Sequence, residues 1–275
     1  MGSVNPLGPF MLTSVRNPLV KRIRQLHRAK GRREQSCFLL EGTNLVEAAC
    51  QKAHPLAVVC ATERWQMGYP ELWSQVLGKA DRCELVSEPV LGAIATTQNP
   101  DGVIAVAPRT PWQPHPDLPE TSPKVGLALE RLQDPGNLGT IIRVAAATGV
   151  TGLWTSQDSV DLDHPKVLRA SAGQWFRVPL QSVPNLSDTV QAQQAQGVRV
   201  VSTSPNATDS YWDLDWRSPT LILLGNEGAG LSTELEAIAD ISVRIPQRAD
   251  VESLNVAMSA ALLLYEAQRQ YSIQP

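Results

Sequence analysis

The sequence predicts an α/β protein in two parts: a smaller N-terminal α/β domain over residues 1–107 and a C-terminal domain on a parallel sheet over residues 124–275. Three observations lead there. Apolar runs of strand length alternate with segments of helix length along most of the chain, the pattern of a sheet covered by helices. Residues 108–123 place six prolines among polar residues, and because proline fixes φ and withholds an N–H the segment reads as an extended linker. Beyond it, strand and helix alternate regularly enough to require parallel neighbours covered on both faces.

Taken in order, SCFLLEG, LAVVCAT, CELVS and GVIAVAP read as short buried strands, with helical stretches between them at residues 44–53 and 89–97. After the linker come strand VGLALERL, a helix over 138–148 closed by Gly149, strand GLWTS, a helix from Pro165, strand VPLQSV and a helix over 186–196 closed by Gly197. Strands VRVVSTS and TLILLG follow, then a helix opened by a capping box from Thr233 to Glu236, strand ISVRIP and a last helix from Leu254. From Val256 to Tyr265 this last helix is apolar or small all round, so both its sides must be covered.

Composition excludes several classes. With 43% apolar and 19% charged residues the chain can bury a core, and no stretch approaches the roughly 20 apolar residues of a membrane span. The first residues, MGSVNPLGPF, lack the apolar run of a signal peptide, so a cytoplasmic location is expected. Cys37, Cys50, Cys60 and Cys83 form no CxxC pair, and His27, His54, His115 and His164 are scattered; no metal is expected.

The net charge of −3 conceals a segregation. Arg16, Lys21, Arg22, Arg24, Arg28, Lys30, Arg32 and Arg33 follow one another with no acid between them. A merely solvated helix usually mixes signs so that neighbours can pair, so the run reads as an arm that contacts phosphate.

Three stretches could carry chemistry. Residues 221–232, LILLGNEGAGLS, pass from a strand into a glycine-rich loop holding Glu227. No Lys with Ser or Thr follows the glycines and the GxGxxG spacing is absent, so neither phosphate-binding fingerprint applies. A carboxylate without a nearby cation would also repel phosphate. The loop therefore suits a ligand carrying positive charge or donor groups, or else it is a plain turn. In DPGNLGTIIRVAAATGV, Asn137 is suited to cap the coming helix, and Arg143 is that helix's only charge. Its guanidinium either projects into a cleft or across a subunit interface toward phosphate or carboxylate, or snorkels beside an apolar stripe. In IPQRADVESLNVAMSAALLLYEAQRQY, Ser253 and Asn255 stand where a loop enters a helix, with Ser253 open to a plain capping role.

Together and in this order the three stretches resemble the SpoU/TrmH class of the SPOUT superfamily, the S-adenosylmethionine-dependent RNA ribose 2′-O-methyltransferases. Asn137, Gly139 and Arg143 match its first motif; Gly225, Asn226, Glu227, Gly228 and Gly230 the second; Ser253, Leu254, Asn255 and Val256, with the Leu-rich helix ending LYE, the third. The region SVRNPLVKRIRQLHRAKGRREQSCFLLEGTNLVEAA is similar to the RNA-binding domain of that class. The resemblance implies a deep trefoil knot at the C-terminal end of the sheet and a homodimer with its sites at the interface. It implies S-adenosylmethionine held by Thr203, Gly225, Asn226, Glu227, Gly228, Ile245, Pro246, Ser253 and Leu254. Asn137, Arg143, Glu227, Ser253 and Asn255 become the expected catalytic set, and Arg16, Lys21, Arg22, Arg24, Arg28, Arg32 and Arg33 the expected RNA contacts. Arg143 is the family's proposed base, yet a guanidinium stays protonated near neutral pH, which favours a role in binding the neighbouring phosphate and the developing alkoxide. The expected function is ribose 2′-O-methylation of structured RNA, ribosomal before transfer RNA, with a non-catalytic RNA-binding or assembly factor as the alternative.

Overall fold

The structure is a computed structural model that describes residues 11–109, 124–248 and 253–272. Most of the proline-rich linker expected at 108–123 lies outside the described residues. The chain divides into two compact units: residues up to 111 together with Asp163–Phe176, and residues 112–162 together with Arg177–Pro275.

In the first unit, α1 (Pro18–Gln25) starts with Asn17 accepting from the N–H of Leu19 at 2.8 Å and with Pro at the first helical position. Both are strong start signals: the cap satisfies an orphan donor and proline gives up an N–H that had no partner. α2 (Ala29–Gln35) leads into β1 (Cys37–Glu41), followed by α3 (Thr43–Gln51), β2 (Val58–Ala61), α4 (Glu63–Gly68), α5 (Pro70–Lys79), β3 (Cys83–Leu85), α6 (Glu88–Ile94) and β4 (Val103–Pro108). The sheet order is β1-β4-β2-β3, with β4 antiparallel to both neighbours and β2 parallel to β3. Val20, Ile23 and Leu26 turn into the core with Val90, Leu91 and Ile94, which leaves Lys21, Arg22, Arg24 and Arg28 exposed. Arg16 and Arg33 are exposed as well.

Arg32 corrects the expectation of an RNA contact. It is 1% exposed, its Nε lies 3.1 Å from a carboxylate oxygen of Asp163, and its Nη1 donates to the carbonyl of Leu26 at 3.3 Å. Charge in the sequence is blind to which way a side chain turns, and here the pairing acid lies 131 positions away. Glu41, 6% exposed, plays the matching part: it accepts from the N–H groups and hydroxyls of Thr96 and Thr97 and pairs with Arg169 at 2.9 Å. Asp163 and Arg169 both belong to the segment Asp163–Phe176, whose helix α8 (Pro165–Ala170) buries Leu168 in the core of the first unit. The sequence reading kept this segment with the second domain, because periodicity reveals a helix but not what its apolar face meets.

The second unit continues with β5 (Val125–Leu129), α7 (Pro135–Thr148), β6 (Gly152–Ser156), β7 (Leu180–Val183), α9 (Leu186–Ala195), β8 (Arg199–Thr203), β9 (Asp209–Ser210), β10 (Thr220–Leu224), α10 (Thr233–Ile238), β11 (Ile241–Arg244) and α11 (Val256–Ser272). Its seven strands run in the order β7-β6-β5-β10-β8-β11-β9 and every pairing is parallel, as expected from the alternation. β10 is central, pairing with β5 and β8, and all five of its residues are buried, which explains its unbroken apolar run. Val183, Leu186, Val190, Leu221, Leu223 and Leu235 form a core that joins the sheet to α9 and α10. α7 and α11 pack on each other.

Two capping assignments change. Asp134, not Asn137, caps α7: its Oδ1 accepts from the N–H groups of Gly136 and Asn137 at 2.6 and 2.9 Å, with Pro135 at the first helical position. For α10 the cap is Ser232, which accepts from Leu235 at 3.3 Å. α11 starts at Val256 and keeps Met258, Leu262 and Tyr265 at 51%, 40% and 53% exposed, so its expected cover is incomplete within one chain. Among the described residues no helix is long and apolar enough to cross a membrane.

Candidate active site

The carboxyl ends of parallel strands are where α/β sheets leave a crevice for ligands. Here the loops after β5, β8, β10 and β11 meet at that edge. After β10, the N–H of Asn226 donates to the carbonyl of Gly230 at 3.0 Å and the reverse bond is also 3.0 Å, closing a small loop. Inside it the Asn226 carboxamide oxygen accepts from the N–H groups of Gly228 and Ala229, both at 2.9 Å. Gly225 is required at the base: a Cβ there would stand 2.2 Å from the backbone carbon of Gly230 and 2.3 Å from the nitrogen of Leu231.

Glu227 points back toward the start of α7. Its carboxylate accepts from the N–H groups of Gln133 at 3.3 Å and Asp134 at 3.1 Å, and from the side-chain amide of Asn137 at 3.1 Å. The oxygen of Asn137 accepts in turn from the amide of Asn255 at 2.9 Å. The oxygen of Asn255 caps α11 through the N–H groups of Ala257 at 2.9 Å and Met258 at 3.4 Å. One hydrogen-bonded line thus ties the three motifs: α11, Asn255, Asn137, Glu227, glycine loop. Asn255 takes the capping role that was open to Ser253, so Ser253 is left to line the cavity.

Partial burial pushes the Glu227 carboxyl up, but hydrogen bonds from its own N–H and from Asn137, Asp134 and Gln133 outweigh it and hold it below the usual carboxylate range. A folded-state value below the unfolded one of about 4.3 means the charged form stabilises the loop at neutral pH, a contribution lost as pH falls through the folded value. Glu227→Gln is therefore expected to melt below the unaltered protein at pH 7, with the gap closing toward pH 3. Identical melting at pH 7 would remove the carboxylate from this role.

A cavity of about 480 Å³ opens beside the loop, lined by Thr203, Gly225, Asn226, Glu227, Gly228, Ile245, Ser253 and Leu254 among others. Eight of the nine expected cofactor positions are among these; Pro246 is not, and Gln247 takes part instead. An adjoining cavity is lined by Gln133, Asp134, Asn137, Glu227, Ser253 and Asn255. No Lys or Arg is among the described lining residues of either. Arg143 stands apart: it is exposed on α7, lines neither cavity, and its side chain forms no hydrogen bond or ion pair with a described residue. Six positions along a helix from Asn137 amount to about 9 Å and about 120° of rotation, so its side chain leaves from another face. The sequence reading missed Gln133 and Asp134 as partners of Glu227; Asp before Pro, a cap followed by a first helical position, was the available signal.

The SpoU rRNA Methylase family matches residues 124–265. The chain belongs to that family. An MRM3-like substrate binding domain matches residues 17–105. An uncharacterized tRNA/rRNA methyltransferase of Synechocystis sp. is 44% identical over 94% of this chain and 93% of its own length. The 23S rRNA (guanosine(2553)-2′-O)-methyltransferase RlmP of Bacillus subtilis is 31% identical over 92% of this chain and 97% of its own. Among solved structures, the AdoMet-bound rRNA methyltransferase from Sinorhizobium meliloti superposes with a TM-score of 0.84 at 32% identity, covering 98% of this chain and 100% of that one. Among SpoU methylases, then, this chain is matched along nearly its whole length.

Proposed function

We propose that the protein transfers a methyl group from S-adenosylmethionine to a ribose 2′ oxygen of ribosomal RNA. The observation that carries this is the line from Asn255 through Asn137 to Glu227 at the rim of a glycine-walled cavity with no Lys or Arg among its described lining residues. The donor set fits the cofactor. Leu224, Ile245, Leu254 and Val256 offer apolar wall, Gly225 and Gly228 let backbone come close, and no Lys or Arg among the described lining residues would compensate a phosphate. When bound, the cofactor's sulfonium supplies the methyl group.

The chain's own task is to hold the nucleophile in line, which accounts for much of the rate in such displacements. Asn137 and Ser253 serve the ribose, Glu227 holds the loop that shapes the cavity, and Asn255 locks the entry of α11. Arg143, on another face of α7 from Asn137, binds the RNA phosphate and stabilises the developing alkoxide at a site completed across the interface of the homodimer proposed below, because a guanidinium in a protein does not give up its proton. Ribosomal RNA is favoured by the substrates named for the relatives of Bacillus subtilis and Sinorhizobium meliloti. Purified protein with labelled S-adenosylmethionine is expected to label ribosomal RNA at a 2′ oxygen. Label on transfer RNA alone, or none, would overturn the assignment. In the same assay, neutralising Arg22, Arg24 and Arg28 should flatten the salt dependence of RNA binding by roughly two to three in log–log slope; an unchanged slope returns the arm to plain surface.

The protein is further proposed to act as a homodimer in the cytoplasm. The uncovered Met258, Leu262 and Tyr265 of α11 support a dimer, because apolar side chains at helical spacing gain by mutual burial. Leu262→Glu should shift the sedimenting species to one chain; an unaltered species would exclude this face. The family's knot belongs to the proposal too, supported by β10 and β11 flanking β8 at the edge where their loops meet. An experimental chain trace without threading would remove it.

A further inference from the structure

The residues between the end of β5 and the cap of α7 include two that the motifs do not name, Glu130 and Arg131. Arg131 has φ of +51°, in the left-handed region that costs a long side chain strain. Among the described residues the other non-glycine residues with positive φ are Ser36, Ala53 and Ala172, all in the first unit, so of these Arg131 alone stands beside the cavity. Its Nε is buried and has no acceptor among the described residues. A strained backbone and an unmatched buried donor persist where the surroundings over-determine them, and such outliers gather at functional sites.

Beyond bonds to Ser156 and to the side-chain amide of Gln133, the side-chain and carbonyl contacts of this pair lead to the glycine loop. The Arg131 N–H donates to the hydroxyl of Ser156 at 2.8 Å, and its carbonyl accepts from the amide of Asn226 at 2.8 Å. Its Nη2 lies 3.4 Å from the carbonyl of Gly230 and 3.4 Å from the carboxylate of Glu130. That carboxylate accepts from the N–H of Ser232 at 2.7 Å. The loop is thereby gripped at its start, at Gly230 and at its end. The carbonyl of Gly230 is also the acceptor that closes the loop onto Asn226.

On the footing of the methyl-transfer reading, we propose that Glu130 and Arg131 form a strap that keeps the glycine loop closed around the methyl donor, with Arg131 a positioning residue for cofactor binding. Its long reach to Gly230, weak as a single hydrogen bond, gains from the charge on the guanidinium and from Glu130 beside it. A residue that favours left-handed φ would relax the backbone and lose the strap.

Arg131→Gly and Arg131→Asn both tolerate that backbone and both lack the reach. Each is expected to bind S-adenosylmethionine about tenfold more weakly by calorimetry and to raise its KM by a similar factor, as loss of a charge-assisted contact does. Turnover at saturating donor should stay within about twofold, and thermal midpoints within about 2 °C, since relaxed strain offsets lost contacts. Without any cofactor, amide exchange of residues 226–232 should quicken in both variants. Native affinity in both overturns the strap. So does a loss confined to Arg131→Gly, which traces to glycine's own freedom, and so does a fall in saturated turnover. If the unaltered protein binds no donor while exchange still quickens, the methyl-transfer reading fails and the strap on the loop stands.

Discussion

Arg143→Ala is expected to cut methyl transfer by about 10²–10³-fold at saturating cofactor, the usual loss when one donor to a developing oxyanion is removed. The fold should not register the change. Arg143 is exposed on α7 with no side-chain bond to a described residue, and alanine is the better helix former there. Stability should therefore stay within about 0.5 kcal/mol, and cofactor affinity should hold because neither cavity is lined by this residue. Arg143→Lys is expected to recover only part of the rate, since an ammonium cannot reproduce the planar fork that meets a phosphate. Radiolabel transfer, calorimetric titration and thermal melting measured together separate these effects. Full turnover in Arg143→Ala would remove the residue from the reaction.

Gly225→Ala should do the opposite, sparing no function that depends on the loop. The new Cβ would meet backbone atoms of Gly230 and Leu231 at 2.2 to 2.4 Å, and backbone tied by two Asn226–Gly230 hydrogen bonds has nowhere to move. Overpacking of this kind costs about 1–3 kcal/mol, or roughly 3–10 °C in thermal midpoint for a domain of this size. Opening the loop also displaces Glu227 from Asn137, so cofactor binding should weaken by about two orders of magnitude, the combined loss of wall and hydrogen bonds. Gly228→Ala is the internal control. A Cβ there meets only the Asn226 carboxamide oxygen, at 3.7 Å, an ordinary contact. Equal affinities in the two variants would mean that loop closure has no part in binding.

Much of this was legible in the chain. The parallel sheet follows from the alternation of runs, and β10 announces its burial by four apolar residues in succession, Leu221 to Leu224. The three motifs stand out because each sets two polar or charged side chains, Asn137 with Arg143, Asn226 with Glu227 and Ser253 with Asn255, in a loop or on a helix among small and apolar residues. Errors fell where two partners compete for one role. Asn137 was read as the cap of α7 because asparagine caps well, but Asp134 stands earlier, before proline, and takes the N–H groups. That frees the Asn137 amide to join Asn255 to Glu227.

The arm shows the same division. Eight cations in a row are plain in the sequence, but the helical period decides which face they share, and the third dimension decides that Arg32 turns inward to Asp163. The docking of Asp163–Phe176 with the first unit is likewise invisible to a reading of local pattern, since a short amphipathic helix fits any apolar surface of its size.

By itself, then, the order of residues determined the two α/β parts and the all-parallel sheet of the second, and it singled out Gly225, Glu227, Asn137 and Asn255 through the motifs that carry the family resemblance. These depend on local periodicity and on residue types with narrow uses. Only the tertiary structure decided that Asn255, Asn137 and Glu227 form one hydrogen-bonded line, that Arg143 leaves α7 on another face, that Arg32 is buried, and that the Arg131 guanidinium reaches the carbonyl of Gly230. Each of those depends on the direction of a side chain, and all but the placement of Arg143 on a partner far along the chain; direction exists only once the strands have paired and the helices have packed.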